Sequence, residues 1–312
     1  MSPTPLRILS HMPASTFDPI AEAIRGAEVI QIPFQGPIPP EATGEVLFTF
    51  AWGSPNMRDA VRRGVRWVHT MGTGIDRFPL DAIEGQILTC SRGVSATPIS
   101  EWVLAMLLAF EKQLPASWIH GVPERWNIAE LGGLAGKTLG LLGIGGIGIA
   151  IARRALAFEM RVIAHRRTPR PSPLEEVEIV ELEELWRRSD HLVVAASATP
   201  ATRHLLNAKA FEQMRQGVHV VNIARGALID QDALRRALDS GRVALASLDV
   251  CEPEPLPEGH WLYSHPQVRL SPHISWSMPG AIPALIENFG ENLERYRRGE
   301  PLLGQVDLGA GY

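Results

Sequence analysis

Residues 137–158, KTLGLLGIGGIGIAIARRALAF, constrain the fold more than any other stretch of the 312-residue chain. An apolar run of strand length ends in glycines, and a helical pattern follows at once. A strand that passes directly into a helix lies parallel to the next strand of its sheet, reached by a right-handed crossover. Apolar runs of strand length recur on both sides of this unit. They cover residues 6–9, 28–32, 46–50, 67–70 and 87–90 before it, and 138–143, 161–165, 191–196, 218–223, 244–250 and 268–272 from it onward. Helical or turn segments separate most of them. A long helix is expected after Pro98 through Glu111 or Lys112, and another over 284–297. PFQGPIPPEATG (33–44) is a Pro/Gly-punctuated loop, and 122–136 reads as irregular. The pattern predicts an α/β chain of two Rossmann-like or flavodoxin-like domains with parallel sheets.

A formal net charge of −4 gives no electrostatic reason to expect nucleic acid or an anionic membrane as partner. Cys90 and Cys251 form no metal-ligand pattern, so no metal is expected, and buried reduced thiols fit a cytoplasmic protein. The N-terminus has no charged segment followed by an apolar core, which argues against a signal peptide. The longest apolar run, 102–110, is too short to span a bilayer.

Gly143, Gly145, Gly146, Ile147 and Gly148 lie within a complete G-x-G-x-x-G. The string alone is weak, since the chain holds 28 glycines and a tight structural turn would need no more. Between a strand and a helix it gains force, because there the second glycine lets backbone approach a pyrophosphate at a helix N-terminus. The next strand ends His165, Arg166, Arg167, Thr168, with Arg170 close behind and no acid. An acid there accepts hydrogen bonds from the ribose hydroxyls of NAD and repels a 2′-phosphate, whereas arginines and a threonine hydroxyl hold one. NADP is therefore the expected cofactor and NAD the second candidate. A solvated basic loop is the alternative reading of the arginines.

Three stretches follow in order: NIARGALID (222–230), LDVCEPEPLP (248–257) and LSPHIS (270–275). They offer an arginine, acids and a histidine, each at or just beyond an expected strand end. Hydride delivery to a ketone builds negative charge on its oxygen, so a positioned donor has to supply a proton. Histidine suits this, its ordinary pKa of about 6.5 lying near neutrality. A carboxylate bonded to the other ring nitrogen favours the imidazolium and fixes the ring. An arginine binds a substrate carboxylate or polarises the carbonyl, and stays charged throughout. Such a set suffices to reduce a 2-oxo acid.

With these motifs the chain resembles the D-isomer-specific 2-hydroxyacid dehydrogenase family over nearly its whole length. The resemblance implies that Arg225 binds substrate, that Glu254 is the histidine partner, and that His273 is the acid/base. Glu252, two residues away, is a rival for the partner role. Asp249 falls where the family holds the nicotinamide carboxamide. MGTGID (71–76) resembles the glycine loop that binds the substrate carboxylate, through Met71, Gly72, Thr73 and Gly74. SATPATRHLLN (197–207) resembles the segment beside the cofactor, and Ala196, Ser197, Thr202, Ile223 and Ala224 are carried over with His273 as cofactor contacts. The family also implies a substrate domain of residues 1–98 plus 280–312, split by a dinucleotide-binding domain of 99–279. An active site in the interdomain cleft and a homodimer are further implications.

Departures from the family bear on specificity. The residues after the active-site histidine are often small, but here Trp276 stands among serines, either walling the substrate pocket or packing at the hinge. Trp52 lies in the loop where the family often contacts the substrate side chain. Pro98 is either a hinge element or a first-turn helix proline. The expected function is reduction of a small 2-oxo acid, such as glyoxylate or hydroxypyruvate, to a D-2-hydroxy acid. A phosphoglycerate dehydrogenase with a regulatory domain is disfavoured, since the chain ends about forty residues after His273. Formate-dehydrogenase-like chemistry is disfavoured by Glu254, where that enzyme has glutamine. A corepressor-like dinucleotide-sensing binding protein is the alternative from another class.

Overall fold

The computed structural model describes residues 5–168 and 170–311. The chain forms two units, Met1–Ser95 with Met278–Tyr312, and Ala96–Ser277.

The first unit contains β1 (Leu6–Ser10), β2 (Ala27–Gln31), β3 (Val46–Phe50), β4 (Trp67–Met71) and β5 (Ile87–Cys90). They form a parallel sheet in the order β2-β1-β3-β4-β5, the flavodoxin-like arrangement. Alternation along each strand sends Ile8, Val46, Phe48 and Trp67 to one face and Leu9, Leu47, Val68 and Leu88 to the other. Helix α1 (Met57–Val61) packs Met57, Ala60 and Val61 against the second face. The C-terminal helix, Ala281–Arg298, packs Ile286, Phe289 and Leu293 against the first, with Phe289 stacked 5.4 Å from Trp67. Gly290 allows its close approach, since a Cβ there would lie 2.9 Å from Ile20 Cγ2. The basic run at its end is not only a solvated terminus: Arg297 donates to the carbonyls of Ala23 and Arg25, the latter at 3.2 Å.

The second unit contains β6 (Thr138–Leu142), β7 (Arg161–His165), β8 (Val177–Ile179), β9 (His191–Val194), β10 (Val218–Asn222), β11 (Val243–Leu248) and β12 (Val268–Leu270). The parallel order is β12-β11-β10-β9-β6-β7-β8. Helices α2 (Ala96–Glu111) and α3 (Gly146–Ala157) bury Val103, Leu107, Ile151 and Ala155 with Leu139, Leu141, Val162 and Val193 on one face. Helices α4 (Leu182–Arg188), α5 (Ala208–Gln213) and α6 (Gln231–Asp239) bury Leu185, Phe211 and Leu234 with Ile163, Leu192 and Val220 on the other. The order in which strands are added reverses between β6 and β9, which makes this the switch point where a ligand crevice forms beyond the strand C-termini.

Two expectations need correcting. Both long helices begin before their prolines, at Ala96 rather than after Pro98 and at Ala281 rather than 284. Pro98 and Pro283 fall in the first turn, where a missing N–H costs nothing, so neither marks a boundary. Strand β8 was not expected, and of its three residues only Val177 is buried, so no apolar run marks it.

Each sheet buries polar groups. In the second unit Glu111 Oε1 lies 2.5 Å from Lys137 Nζ and 3.1 Å from His191 Nε2. Burial would raise this carboxyl, but His191 and Lys137 outweigh it and hold it below the ordinary carboxylate value. In the first unit His69 is fully buried, with Nδ1 2.8 Å from Thr89 Oγ1 and the ring stacked on Phe48. Burial lowers its pKa to about 3, and lowers that of His11 to about 4. Both stay neutral in the fold, while the unfolded chain takes up protons below about pH 6.5. Stability is therefore full above that pH and falls as the solution is acidified toward the folded values. Each group contributes a slope approaching about 1.4 kcal/mol per pH unit. Urea unfolding at pH 6.5 and pH 5 is expected to show a smaller acid loss in His69→Leu than in wild type, by up to about 2 kcal/mol. Parallel losses would mean that His69 is not held neutral.

Candidate active site

The glycine turn follows β6 at the switch point. Gly143 has φ +104°, and a Cβ there would lie 2.8 Å from the Ala195 carbonyl oxygen, just past β9. A Cβ at Gly148 would lie 2.5 Å from Gly143 O, so the first turn of α3 packs on the turn that precedes it. At Gly145 a Cβ would meet nothing within 4 Å, so the backbone there faces open space. The three glycines thus divide the work as a dinucleotide site requires, into a tight turn, an open approach and helix–strand packing. Gly146 and Ile147 open α3, whose N–H groups point toward that space.

At the end of β7, His165 Nδ1 contacts Val180 O at 3.0 Å and Arg166 donates to Pro171 O at 3.1 Å. Arg167 and Thr168 are exposed beside them. After β9, Ala196 is half-buried and Ser197 exposed. Thr202 Oγ1 accepts from Thr199 N and donates to Ser197 O, both at 2.8 Å, so its hydroxyl shapes the loop from within. Ile223 is part of the core, and Ala224 packs at its margin.

Three strand ends supply the chemical groups. After β10, Asn222 accepts from Ala224 N at 3.0 Å and donates to Arg225 O at 2.9 Å, clamping the turn that bears Arg225. The Arg225 side chain is half-buried, and its Nη1 donates to Ala224 O at 2.7 Å. Gly226 then meets the loop after β11 backbone to backbone, for a Cβ there would lie 2.0 Å from Cys251 C. In that loop Glu254 Oε1 accepts from Cys251 N at 3.1 Å, and Oε2 lies 3.0 Å from His273 Nδ1. Glu252 turns elsewhere: Arg203 Nη1 donates to its carboxylate at 2.9 Å, and Gln231 Nε2 donates to its carbonyl at 2.6 Å. Glu254 is thus the acid that touches the histidine.

Burial would raise the Glu254 carboxyl, but bonds from His273 and Cys251 N, with the charges of His273 and Arg225, outweigh it and hold it below the ordinary carboxylate value. It is ionised at neutral pH. Cys251 is no nucleophile, since burial and then the Glu254 charge push its thiol up to about 11.

Asp249, at the end of β11, is 1% exposed. Its carboxylate accepts from Ser271 Oγ at 2.6 Å, Ile274 N at 2.8 Å and Ser275 N at 2.9 Å. His273 itself has φ +56°; its N–H donates to Asp249 O at 2.8 Å, and its carbonyl accepts from Trp276 Nε1 at 3.0 Å. With Nδ1 turned to Glu254, Nε2 is the ring nitrogen available to a substrate.

In the first unit, Gly72 at the end of β4 has φ +122°, its carbonyl accepts from Ser91 N at 2.9 Å, and Thr73 Oγ1 donates to Ser91 O at 3.1 Å. Met71 and Gly74 flank them, both half-buried. Trp52, after β3, is 56% exposed and stacks on Phe50 at 4.9 Å. Asn222, Gly226 and Gln231, which brace the loops of the second unit, were not singled out in the sequence. They touch only backbone or loop neighbours and belong to no charge pattern.

A family model described as D-isomer specific 2-hydroxyacid dehydrogenase, NAD binding domain, matches residues 104–275. The glyoxylate reductase/hydroxypyruvate reductase of Homo sapiens is 35% identical over 263 residues, covering 80% of this chain and 79% of that protein. Among solved structures, a D-isomer specific 2-hydroxyacid dehydrogenase from Xanthobacter autotrophicus Py2, in complex with NADPH and MES, superposes with a TM-score of 0.82 at 26% identity, over 99% of this chain and 100% of that one. An NADPH-dependent glyoxylate/hydroxypyruvate reductase from Sinorhizobium meliloti, in complex with NADP and sulfate, gives a TM-score of 0.82 at 26% identity over 98% and 100%.

Proposed function

The chain belongs to the D-isomer-specific 2-hydroxyacid dehydrogenase family, and on that premise we propose that it reduces small 2-oxo acids to D-2-hydroxy acids with NADPH. The observation that carries the reading is the His273–Glu254 contact at 3.0 Å, with the charge of Arg225 acting on the same carboxylate. When bound, NADPH supplies the hydride that adds to the 2-oxo carbon. His273 Nε2 gives its proton to the carbonyl oxygen as negative charge builds there, and Glu254 stabilises the imidazolium beforehand. Arg225 binds the substrate carboxylate or polarises the carbonyl. Backbone N–H groups of Met71, Gly72, Thr73 and Gly74 are our candidates for a second hold on the carboxylate, and Trp52 for a contact to the substrate side chain. Glyoxylate and hydroxypyruvate are the substrates favoured by the named relatives.

His273→Gln is expected to lower kcat by about 10²–10⁴, the usual cost of losing a general acid. Arg225→Ala is expected to raise KM for the 2-oxo acid. Steady-state rates with glyoxylate and hydroxypyruvate decide the matter, and near-wild-type kcat in His273→Gln sinks the assignment.

The choice of NADPH rests on Arg166, Arg167, Thr168 and Arg170 at the end of β7, where no acid stands. The two relatives solved with NADPH or NADP support it. Asp249 and the 196–202 loop are assigned to the nicotinamide half of the same cofactor. The ratio of kcat/KM for NADPH over NADH is expected to exceed one, and to fall at least tenfold in an Arg166→Ser/Arg167→Ser double variant. A ratio below one in the wild type rejects the phosphate clamp.

We also infer a cytoplasmic homodimer. No helix among the described residues is long and apolar enough to cross a membrane. Trp118, Ile119, Val122, Trp126, Ile128 and Leu131 are each 44–101% exposed within one irregular segment of the second unit. Its neck is closed by Gly132 N donating to Glu111 O at 3.0 Å and Lys112 Nζ donating to Gly132 O at 2.7 Å. These side chains expose on the order of 800 Å², the share each partner contributes to a stable interface. Light scattering is expected to give twice the chain mass, and the chain mass in a Val122→Glu/Trp126→Glu variant; a monomeric wild type overturns the inference.

A further inference from the structure

The histidine turn contains one contact that the reaction chemistry does not call for. His273 sits in the left-handed region at φ +56°, a conformation that side-chain-bearing residues enter only when surrounding contacts impose it. Its N–H is taken by Asp249 O, the two following N–H groups by the Asp249 carboxylate, and its Nδ1 by Glu254. The carbonyl oxygen of His273 remains. Trp276 Nε1 donates to it at 3.0 Å, from a ring whose apolar body packs on the core cluster of α2 and α3. The indole therefore ties the carbonyl of the histidine to rigid core, three residues along the chain.

We infer that Trp276 is a positioning residue for His273, acting through its indole N–H rather than through bulk in the substrate pocket. The inference rests on the reading of His273 as proton donor. The His273 carbonyl and the Ile274 N–H share one peptide plane, which Asp249 holds at the N–H and Trp276 at the oxygen; releasing the oxygen leaves a single hold on that plane and loosens the ring's seat against Glu254. Proton transfer is sensitive to such motion, because misplacement by about 1 Å can cost 10² in rate. Ser271 O shares the His273 N–H at 3.0 Å, and Trp276 N–H holds the carbonyl oxygen, which neither Asp249 nor Glu254 can bond.

Two substitutions at Trp276 separate the N–H from the bulk. Trp276→Phe keeps a large ring on the core and deletes the donor. Trp276→His keeps a five-membered ring with a nitrogen at the position of the indole nitrogen, and deletes the benzo ring. If the N–H positions His273, Trp276→Phe lowers kcat about tenfold, with KM for glyoxylate and Kd for NADPH within twofold of wild type. Trp276→His then retains at least half of the wild-type kcat despite a lower melting temperature. The inference is overturned if Trp276→Phe keeps wild-type kcat, or if Trp276→His loses as much kcat as Trp276→Phe. His273→Gln is measured alongside. Should it keep its kcat, the proton-donor reading itself fails; should it alone lose activity, that reading stands and only the role of Trp276 falls.

Discussion

The buried carboxylate of Asp249 is the contact on which the strand ends around His273 depend. Its backbone N–H donates to Asn222 O at the end of β10, its carbonyl accepts from His273 N, and its side chain gathers Ser271, Ile274 and Ser275. Three neighbouring strand ends are thereby held by one residue. A buried charge of this kind is tolerated only because donors surround it, and removing it would leave two backbone N–H groups without partners. Each carboxylate oxygen has two acceptor directions, so three donors leave room for a fourth. A carboxamide N–H needs no more than that, and the anchoring of the turn is compatible with the proposed contact to the nicotinamide.

Gly226 does for Arg225 what Asp249 does for His273, by a different means. The Arg225 turn and the loop after β11 touch backbone to backbone, closer than any side chain permits. That contact brings the Arg225 charge to bear on the Glu254 carboxyl. Glu252, next to Cys251 in the same loop, is clasped by Gln231 and Arg203. Glu254, two residues beyond, presents one oxygen to its own loop and the other to His273. Two acids two residues apart thus have unrelated tasks, one structural and one set against the imidazole.

Most of this was legible in the sequence because it is carried by local pattern. Strand runs such as VLFTF and WVHT are mostly apolar and buried on both faces, as parallel strands with helices on both sides are. The glycine turn is legible because each glycine answers a separate steric demand. What escaped has a common cause. Strand β8 buries a single side chain, so it leaves no apolar run. The first-turn prolines at 98 and 283 look like boundaries until the helix is seen to begin before them. Gly226 and Asn222 act only on backbone that is distant in sequence or locally turned, and one chain offers no periodicity from which such contacts can be read. Glu254 is assigned over Glu252 by the family resemblance and not by local pattern, for the choice turns on which carboxylate faces His273, and in the structure it is Glu254 that does.

The two halves of the site solve opposite problems with the same backbone freedom. At Gly145 the sequence gives up the side chain and leaves open space beside the main chain, and at Gly143 the turn at φ +104° carries little cost in the fold. Where a side chain is the working part, at His273, that option is closed, and a left-handed residue costs roughly 1–2 kcal/mol. Asp249 and Trp276 offset that cost with hydrogen bonds that contribute about 1 kcal/mol each. The bonds of Asp249 to His273, Ile274 and Ser275 N–H, with that of Trp276, together exceed the strain, so the left-handed turn is held. A histidine held in this way has few alternatives within reach, which is the condition a proton donor needs when its partner carboxylate stands at hydrogen-bond distance and its other nitrogen has to meet a substrate.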